Sequence, residues 1–278
     1  MQERIIVTLT TWNKRIGNIP AVLETIFNQT LPPDLVVLNI AFDETIPLHV
    51  QKYIDSRPIE VFRVADTKAY KKILPTLKRY PNDCIINIDD DWIYPLGMIE
   101  DFINVHTKHP DFPISGNRVI IDGRQCHCGC ASLLKASYFE NNLDLIDDGV
   151  IKNCPSSDIV FTYFANKSKH PYIRTNNEYF INMKPYNDTD GYTNSFGGGV
   201  GISDSYKYLI ERFGKLDDTI TSYILDDGLS VLFEDILSRQ RNSIIYNTEM
   251  KLRSSYSYRI GNFIIRPLSF LKHIISKK

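Results

Sequence analysis

The sequence predicts an α/β protein, a mostly parallel sheet flanked by helices, followed by a helical C-terminal extension. Three observations carry this expectation. Four short, apolar, β-branched runs (4–9, 35–42, 59–64 and 84–88) alternate with segments whose apolar residues recur at helical spacing. The connections are short, and parallel neighbours need a crossover that a helix supplies. Two of the runs end abruptly in acid, Asp43 after the second and Asp89-Asp90-Asp91 after the fourth.

The elements follow in order. RIIVTL (4–9) is nearly all apolar and reads as a strand buried on both faces. Ile19, Val22, Leu23, Ile26 and Phe27 have helical spacing, and Pro20 suits a first turn, where its missing N–H costs nothing. LVVLNIAF (35–42) is a second buried strand, closed by Asp43. HVQKYIDS (49–56) reads as a helix, IEVFRV (59–64) as a third strand, and AYKKILPTLKRY (69–80) as a helix broken or kinked by Pro75. CIINI (84–88) is a fourth strand and MIEDFINVHTKH (98–109) a helix. Beyond about residue 110 the pattern changes. RVIID (118–122) and CASLLK (130–135) read as further strands, and SDIVFTYFANK (157–167) as a helix. Residues 182–201 are polar, aromatic and Gly-rich without periodicity, which reads as a long loop. Ser203 or Asp204 is placed to cap a helix over 205–213, and 227–241 again has helical spacing.

Bulk properties exclude some classes. A chain of 278 residues, 43% hydrophobic, can bury a substantial core. Lysine plus arginine (32) nearly balances aspartate plus glutamate (33), which argues against a nucleic-acid binder. The apolar start is too short for a signal peptide, and no apolar run approaches the roughly 20 residues of a membrane span. A cytoplasmic protein, soluble or peripheral, is expected. Five cysteines, an odd number, do not suggest a disulfide framework.

The stretch IINIDDDWIYP (85–95) sets the chemical question. Three adjacent carboxylates repel, and burying one without a partner is costly. In open α/β sheets, however, ligands bind at the carboxyl ends of the strands. If the strand continued through them, Asp89 and Asp91 would share a side. A divalent cation between such carboxylates offsets their repulsion, and all-oxygen ligands with substrate phosphates suit Mg²⁺ or Mn²⁺. A solvated acidic turn is the plain alternative. An aspartyl nucleophile, as in haloacid-dehalogenase-type phosphatases, is another, but that motif sits on a first strand rather than a fourth.

Together with VTLTTWNKR (7–15), IFNQTLPPDLVVLNIAFDE (26–44) and DTKAYKKILPTLKRYPNDCIINIDDDWIYP (66–95), the cluster resembles a GT-A glycosyltransferase of the family 2 type. Bacterial surface-polysaccharide transferases are the nearer likeness, which covers roughly residues 4–170. The resemblance implies a nucleotide-binding half over about 1–110, an acceptor half over about 111–200, and an extension over 201–278. It implies that Asp89 and Asp91 form the D-x-D pair that holds Mn²⁺ or Mg²⁺, with Asp90 as the competing phase. Thr10, Thr11 and Trp12 would meet the nucleotide base, and Asp43 the uracil of a UDP-sugar. Lys68, Lys71 and Lys72 would face the diphosphate, unless they form a solvated helix face.

Sugar transfer needs a base for the acceptor hydroxyl. The resemblance places it at Asp158 in NCPSSDIVFTYFA (153–165), giving an inverting reaction onto a glycan or lipid-linked acceptor. A retaining enzyme, or a module that binds without catalysis, are the alternatives. So is a plain helix start, with Ser156 or Ser157 as cap and Asp158 at the positive end. Cys126-His127-Cys128-Gly129-Cys130 has cysteine spacing unusual for zinc, although Cys154 could add a ligand, and the resemblance implies a small-residue acceptor loop here. Gly197-Gly198-Gly199-Val200-Gly201 fits no phosphate-binding motif and reads as a hinge, with Tyr186, Tyr192 and Phe196 available to stack on a sugar. The end of the chain mixes Arg259, Arg266, Lys272, Lys277 and Lys278 with Phe263, Ile264, Ile265, Phe270, Leu271, Ile274 and Ile275. Such a basic amphipathic tail suits the inner face of the cell membrane, a helix packed on the domain or a partner-binding tail being the alternatives.

Overall fold

The apolar runs become strands because, once covered on both faces, their backbone groups can be satisfied only by neighbours in a sheet. The computed structural model describes residues 3–116, 119–121, 124–126, 131–175, 184–185 and 200–216. The chain divides into two compact units, Met1–Tyr223 and Ile224–Lys278, and all described residues lie in the first. Strands β1 (Ile5–Thr10), β2 (Leu35–Ala41), β3 (Ile59–Val64) and β4 (Cys84–Ile88) form where the sequence places them. They lie in the order β3-β2-β1-β4, every pair parallel. The sheet continues through β9 (Ala131–Leu134), antiparallel to β4, then β6 (Ile114–Ser115), antiparallel to β9, and β10 (Ile173–Arg174), parallel to β6. Among the described residues the sheet has seven strands, parallel on one side and mixed on the other.

Helices cover the sheet with their apolar stripes. Helix α1 (Ile19–Phe27) buries Ile19, Val22, Leu23 and Ile26 and carries Pro20 in its first turn. It is followed by α2 (Leu48–Asp55), α3 (Leu74–Arg79) and α4 (Met98–Lys108), the last burying Met98, Ile99 and Phe102. Helix α5 (Asp148–Asn153) precedes α6 (Ser157–Lys167), which is apolar nearly all round and buried from Ile159 to Ala165. That composition fits its surroundings, since α6 packs on the 3₁₀ segment Ala136–Leu145 and on α7 (Val200–Phe213).

Some expectations change. Pro75 does not kink a helix. Residues Lys68–Lys72 form a 3₁₀ turn, and Pro75 sits in the first turn of α3, where no N–H is needed. Helix α7 begins at Val200 rather than after Ser203 or Asp204, so those residues are not its cap. RVIID contributes β7 (Val119–Ile121), which pairs with β8 (Arg124–Cys126) in a separate hairpin, not with the main sheet. Two further short strands, β5 (Trp92–Ile93) and β11 (Lys184–Pro185), pair antiparallel directly after the aspartates. The side chains of the Cys126–Cys130 segment, most of the 182–201 stretch, the expected 227–241 helix and the basic tail lie outside the described residues. Among the described residues, no helix is long and apolar enough to cross a membrane.

Candidate functional site

The chain leaves β1 for β2 on one side and returns to β4 on the other, so a topological switch point lies between the carboxyl ends of β1 and β4. Thr10 ends β1, and Thr11, Trp12 and Arg15 follow it. Ile88 ends β4, so Asp89, Asp90 and Asp91 occupy a turn rather than a continued strand. The turn, not strand alternation, decides which carboxylate faces where.

Asp90 turns inward. Its side chain is 3% exposed, and Oδ1 lies 2.7 Å from Arg15 Nη2. The same guanidinium reaches Asp91 Oδ2 through Nη1 at 2.5 Å. Asp89 Oδ1 meets Lys72 Nζ at 2.7 Å, and that ammonium lies 3.7 Å from Asp158 Oδ1. Asp89, Asp91 and Asp158 keep 30%, 19% and 26% of their side chains exposed, so three carboxylates reach solvent around two buried or nearly buried cations. Burial pushes Asp90 up to about 6 against the pull of Arg15; the Thr11 hydroxyl pulls the same way without reaching hydrogen-bond geometry. Asp91 is also raised, by burial first and then by the Asp89 carboxylate. Thr11 Oγ1, Arg15 Nε and Asp90 Oδ2 are buried here without a hydrogen-bond partner.

The donor set fits a hard divalent cation. Asp89 and Asp91 offer solvent-facing oxygens, their mutual repulsion shows in the shift of Asp91, and two carboxylates leave coordination positions for phosphate oxygens. Asp90 is the least suited of the three, since it shares Arg15 with Asp91 but is only 3% exposed.

The cations are held from below. Thr8 Oγ1 lies 2.7 Å from both Lys72 O and Thr76 Oγ1, and Asn39 Nδ2 donates to the Thr8 and Thr76 hydroxyls at 3.1 and 2.9 Å. Thr8 registers with Asn87 on β4, and Asn87 registers with Ser132 on β9, whose hydroxyl donates to the Asn87 side-chain oxygen Oδ1. A polar row thus crosses an apolar sheet beneath the turn that carries Lys72. Tyr70 Oη donates to Cys154 O at 2.5 Å, tying that turn to the segment before α6 and Asp158. Asp89 N donates to Tyr94 Oη at 2.8 Å, and Tyr94 Oη returns a bond to Asp89 O at 3.1 Å.

The remaining expected residues are placed as follows. Lys71 and Lys72 are buried, so they are not a solvated helix face. Lys71 Nζ bonds Asp66 at 2.9 Å and Lys68 Nζ bonds it at 2.5 Å; burial alone would raise Asp66, but the two lysines hold it at about 2. Lys68 has φ 55°, a left-handed conformation uncommon for a non-glycine residue. Thr10 Oγ1 donates to Asn39 O at 2.7 Å, and Lys14 Nζ lies 5.3 Å from the centre of the Trp12 ring. Asp43 is exposed just past β2, beside Phe42, a residue 72% exposed. Asp158 stands in the first turn of α6, while the Ser156 side chain makes no capping bond. The sequence reading missed Arg15, Tyr94 and the Thr8–Asn39–Asn87 row. The signal was present: one polar residue interrupts each of three apolar runs (VTL, LNI and INI).

No family model and no curated protein matches the chain. Among solved structures it is similar to a mannosyltransferase from Pyrobaculum calidifontis, PcManGT, in complex with GDP-Man and Mn²⁺. That likeness has 14% identity, covers 95% of this chain and 84% of that one, and has a TM-score of 0.58. More distant likenesses are S. aureus TarS 1–349 in complex with UDP (13% identity, 63% and 58% covered, TM-score 0.46) and a 4-diphosphocytidyl-2C-methyl-D-erythritol synthase (12%, 64% and 92%, 0.41). The fold assignment rests on the first: the chain has a GT-A-type sheet flanked by helices.

Proposed function

We propose that the chain is a metal-dependent glycosyltransferase that moves a sugar from a nucleotide-sugar to a glycan or lipid-linked acceptor. The observation that carries the reading is the charge arrangement at the switch point: Asp89, Asp91 and Asp158 each reach solvent, Asp89 and Asp158 joined through Lys72 and Asp91 held by Arg15. The GT-A-type fold, and a neighbour of that fold described with GDP-Man and Mn²⁺, support it.

Asp89 and Asp91 are the residues that would hold Mn²⁺ or Mg²⁺, which supplies Lewis-acid charge to the departing diphosphate. Lys72 adds a buried positive charge beside Asp89, and Arg15 fixes Asp90 and Asp91 from below. Thr11 and Trp12 border the donor pocket at the end of β1, with Asp43 and the exposed Phe42 at the end of β2 as its base-binding edge. Lys68 and Lys71, gathered by Asp66, line its basic side. Asp158 takes the proton of the acceptor hydroxyl, so that attack opposite the leaving diphosphate inverts the anomeric centre. A site for surface-polysaccharide synthesis, with the basic tail at the inner face of the membrane, completes the reading.

A screen of UDP- and GDP-sugars with Mn²⁺ or Mg²⁺, reading nucleoside diphosphate release, tests it. Release with at least one donor, abolished by chelator, is expected. No release from any donor, with or without an acceptor mixture, contradicts catalysis and leaves a binding module. Retention of the donor's anomeric configuration in the product overturns the role given to Asp158.

A further inference from the structure

The amino ends of β1 and β4 carry a second group of ligand-type side chains, far along the same strands from the aspartates. Glu3 Oε2 accepts from Cys84 Sγ at 3.2 Å and lies 3.4 Å from His106 Nε2. The three ligand atoms all lie within 4.8 Å of one another. Tetrahedral zinc, with bonds of about 2.3 Å to sulfur and about 2.0–2.1 Å to nitrogen and oxygen, sets its ligand atoms roughly 3.3–3.6 Å apart. The two measured separations are close to that range.

Proton positions sharpen the point. Tyr138 Oη has one proton and donates it to Pro110 O at 2.8 Å. The oxygen therefore faces His106 Nδ1, 3.2 Å away, as an acceptor. With the imidazole proton on Nδ1, the tautomer that suits this acceptor, Nε2 presents its lone pair to a carboxylate oxygen. Two acceptors face each other unless a proton or a metal stands between them. The supporting contacts are those of a ligand shell. The histidine N–H is given to an oxygen, and Lys135 Nζ holds Glu3 Oε1 while Oε2 remains turned to the trio. Lys135 is the opposing charge, with Asp83 and Asp111 near enough to add negative potential. Cys84 and His106 are buried, while Glu3 is exposed and leaves the trio open to water.

We propose that Glu3, Cys84 and His106 bind one divalent cation of zinc type, with water in a fourth position. Thiolate, imidazole and carboxylate together select such a borderline metal, whereas the oxygens of Asp89 and Asp91 suit Mn²⁺ or Mg²⁺. Binding releases the Cys84 thiol proton and joins the start of β1 and the start of β4 to α4.

The test uses the full chain, stripped with chelator and titrated with Co²⁺ and then Zn²⁺. A thiolate-to-cobalt charge-transfer band that saturates at one thiolate-bound Co²⁺ per chain is expected, displaced by Zn²⁺. The band disappears in Cys84→Ser and survives replacement of Cys126, Cys128 and Cys130 by serine. Glu3→Gln, at an exposed position that leaves folding intact, weakens binding and abolishes the rise in Tm that Zn²⁺ gives the wild type. Tyr138→Phe weakens binding roughly tenfold or more. Absence of the band, its survival in Cys84→Ser, its dependence on Cys126–Cys130, or wild-type affinity in Glu3→Gln overturns the proposal.

Discussion

The two ends of the β1–β4 pair treat charge differently. At the carboxyl end, four carboxylates (Asp89, Asp90, Asp91 and Asp158) share two cations, Arg15 and Lys72. With all ionised, these six side chains, taken among the described residues, sum to two negative charges. At the amino end, Glu3 and Asp83 are matched by Lys135 and Arg4. The amino-end pairs are partly exposed, so each contributes little. The carboxyl-end carboxylates are partly desolvated and two of them are shifted upward, a state a protein tolerates where a ligand supplies the missing charge. Among the described residues, the same strands therefore end in matched ion pairs beside the Glu3–Cys84–His106 group on one side and in a cluster with more carboxylates than paired cations on the other.

Substitutions can break this contrast, beginning where the effect is largest. Asp158→Asn should lower kcat by about 10²–10⁴-fold, the usual worth of a general base, while nucleoside diphosphate binding stays unchanged by calorimetry. A fully active variant removes Asp158 from the mechanism. Next, Lys72→Met should cost about 10²-fold in kcat/KM, because Asp89 and Asp158 lose the ammonium between them. Its effect should exceed that of Lys135→Met at the other end; equal effects would erase the distinction between the ends. Thr8→Val leaves Asn39 Nδ2 one acceptor short and frees Lys72 O, so urea unfolding should show a loss of about 1–3 kcal/mol.

Arg4→Ala, at the amino end, should cost less than about 1 kcal/mol at pH 7. The hydrogen bond from Arg4 holds the Asp83 carboxyl below its usual value of 3.8. A lowered carboxylate stabilises the fold above its unfolded pKa and loses that contribution as pH falls through the folded one. The difference between variant and wild type should therefore shrink in urea titrations below about pH 4. A difference that grows on acidification contradicts the pairing.

How far the sequence reveals this site differs between the halves of the sheet. The parallel half was legible because strands covered on both faces must be continuous apolar runs, and RIIVTL, LVVLNIA and CIINI are such runs. Strands β6 and β10 were not, since two residues, Ile114–Ser115 and Ile173–Arg174, give no period to read. Asp89, Asp91 and Asp158 could be named because acids at a strand end and a helix start stand out in sequence. Arg15 could not, because its pairing with Asp90 spans 75 residues and depends on a turn that only the fold defines. Lys72 was grouped with Lys68 and Lys71 on a presumed helix, but the 3₁₀ turn separates them: Lys71 goes to Asp66 and Lys72 to Asp89. The polar row was visible as three interrupted apolar runs, yet its meaning needed the register that aligns Thr8 with Asn87.

The most direct test of the central claim is calorimetric binding of UDP and GDP, with and without Mn²⁺, to the wild type and to the Asp89→Asn/Asp91→Asn double variant. The account predicts Mn²⁺-dependent binding of at least one nucleotide to the wild type and its loss in the double variant, whose circular dichroism is unchanged. Binding that is indifferent to Mn²⁺, or equal in both proteins, would contradict it.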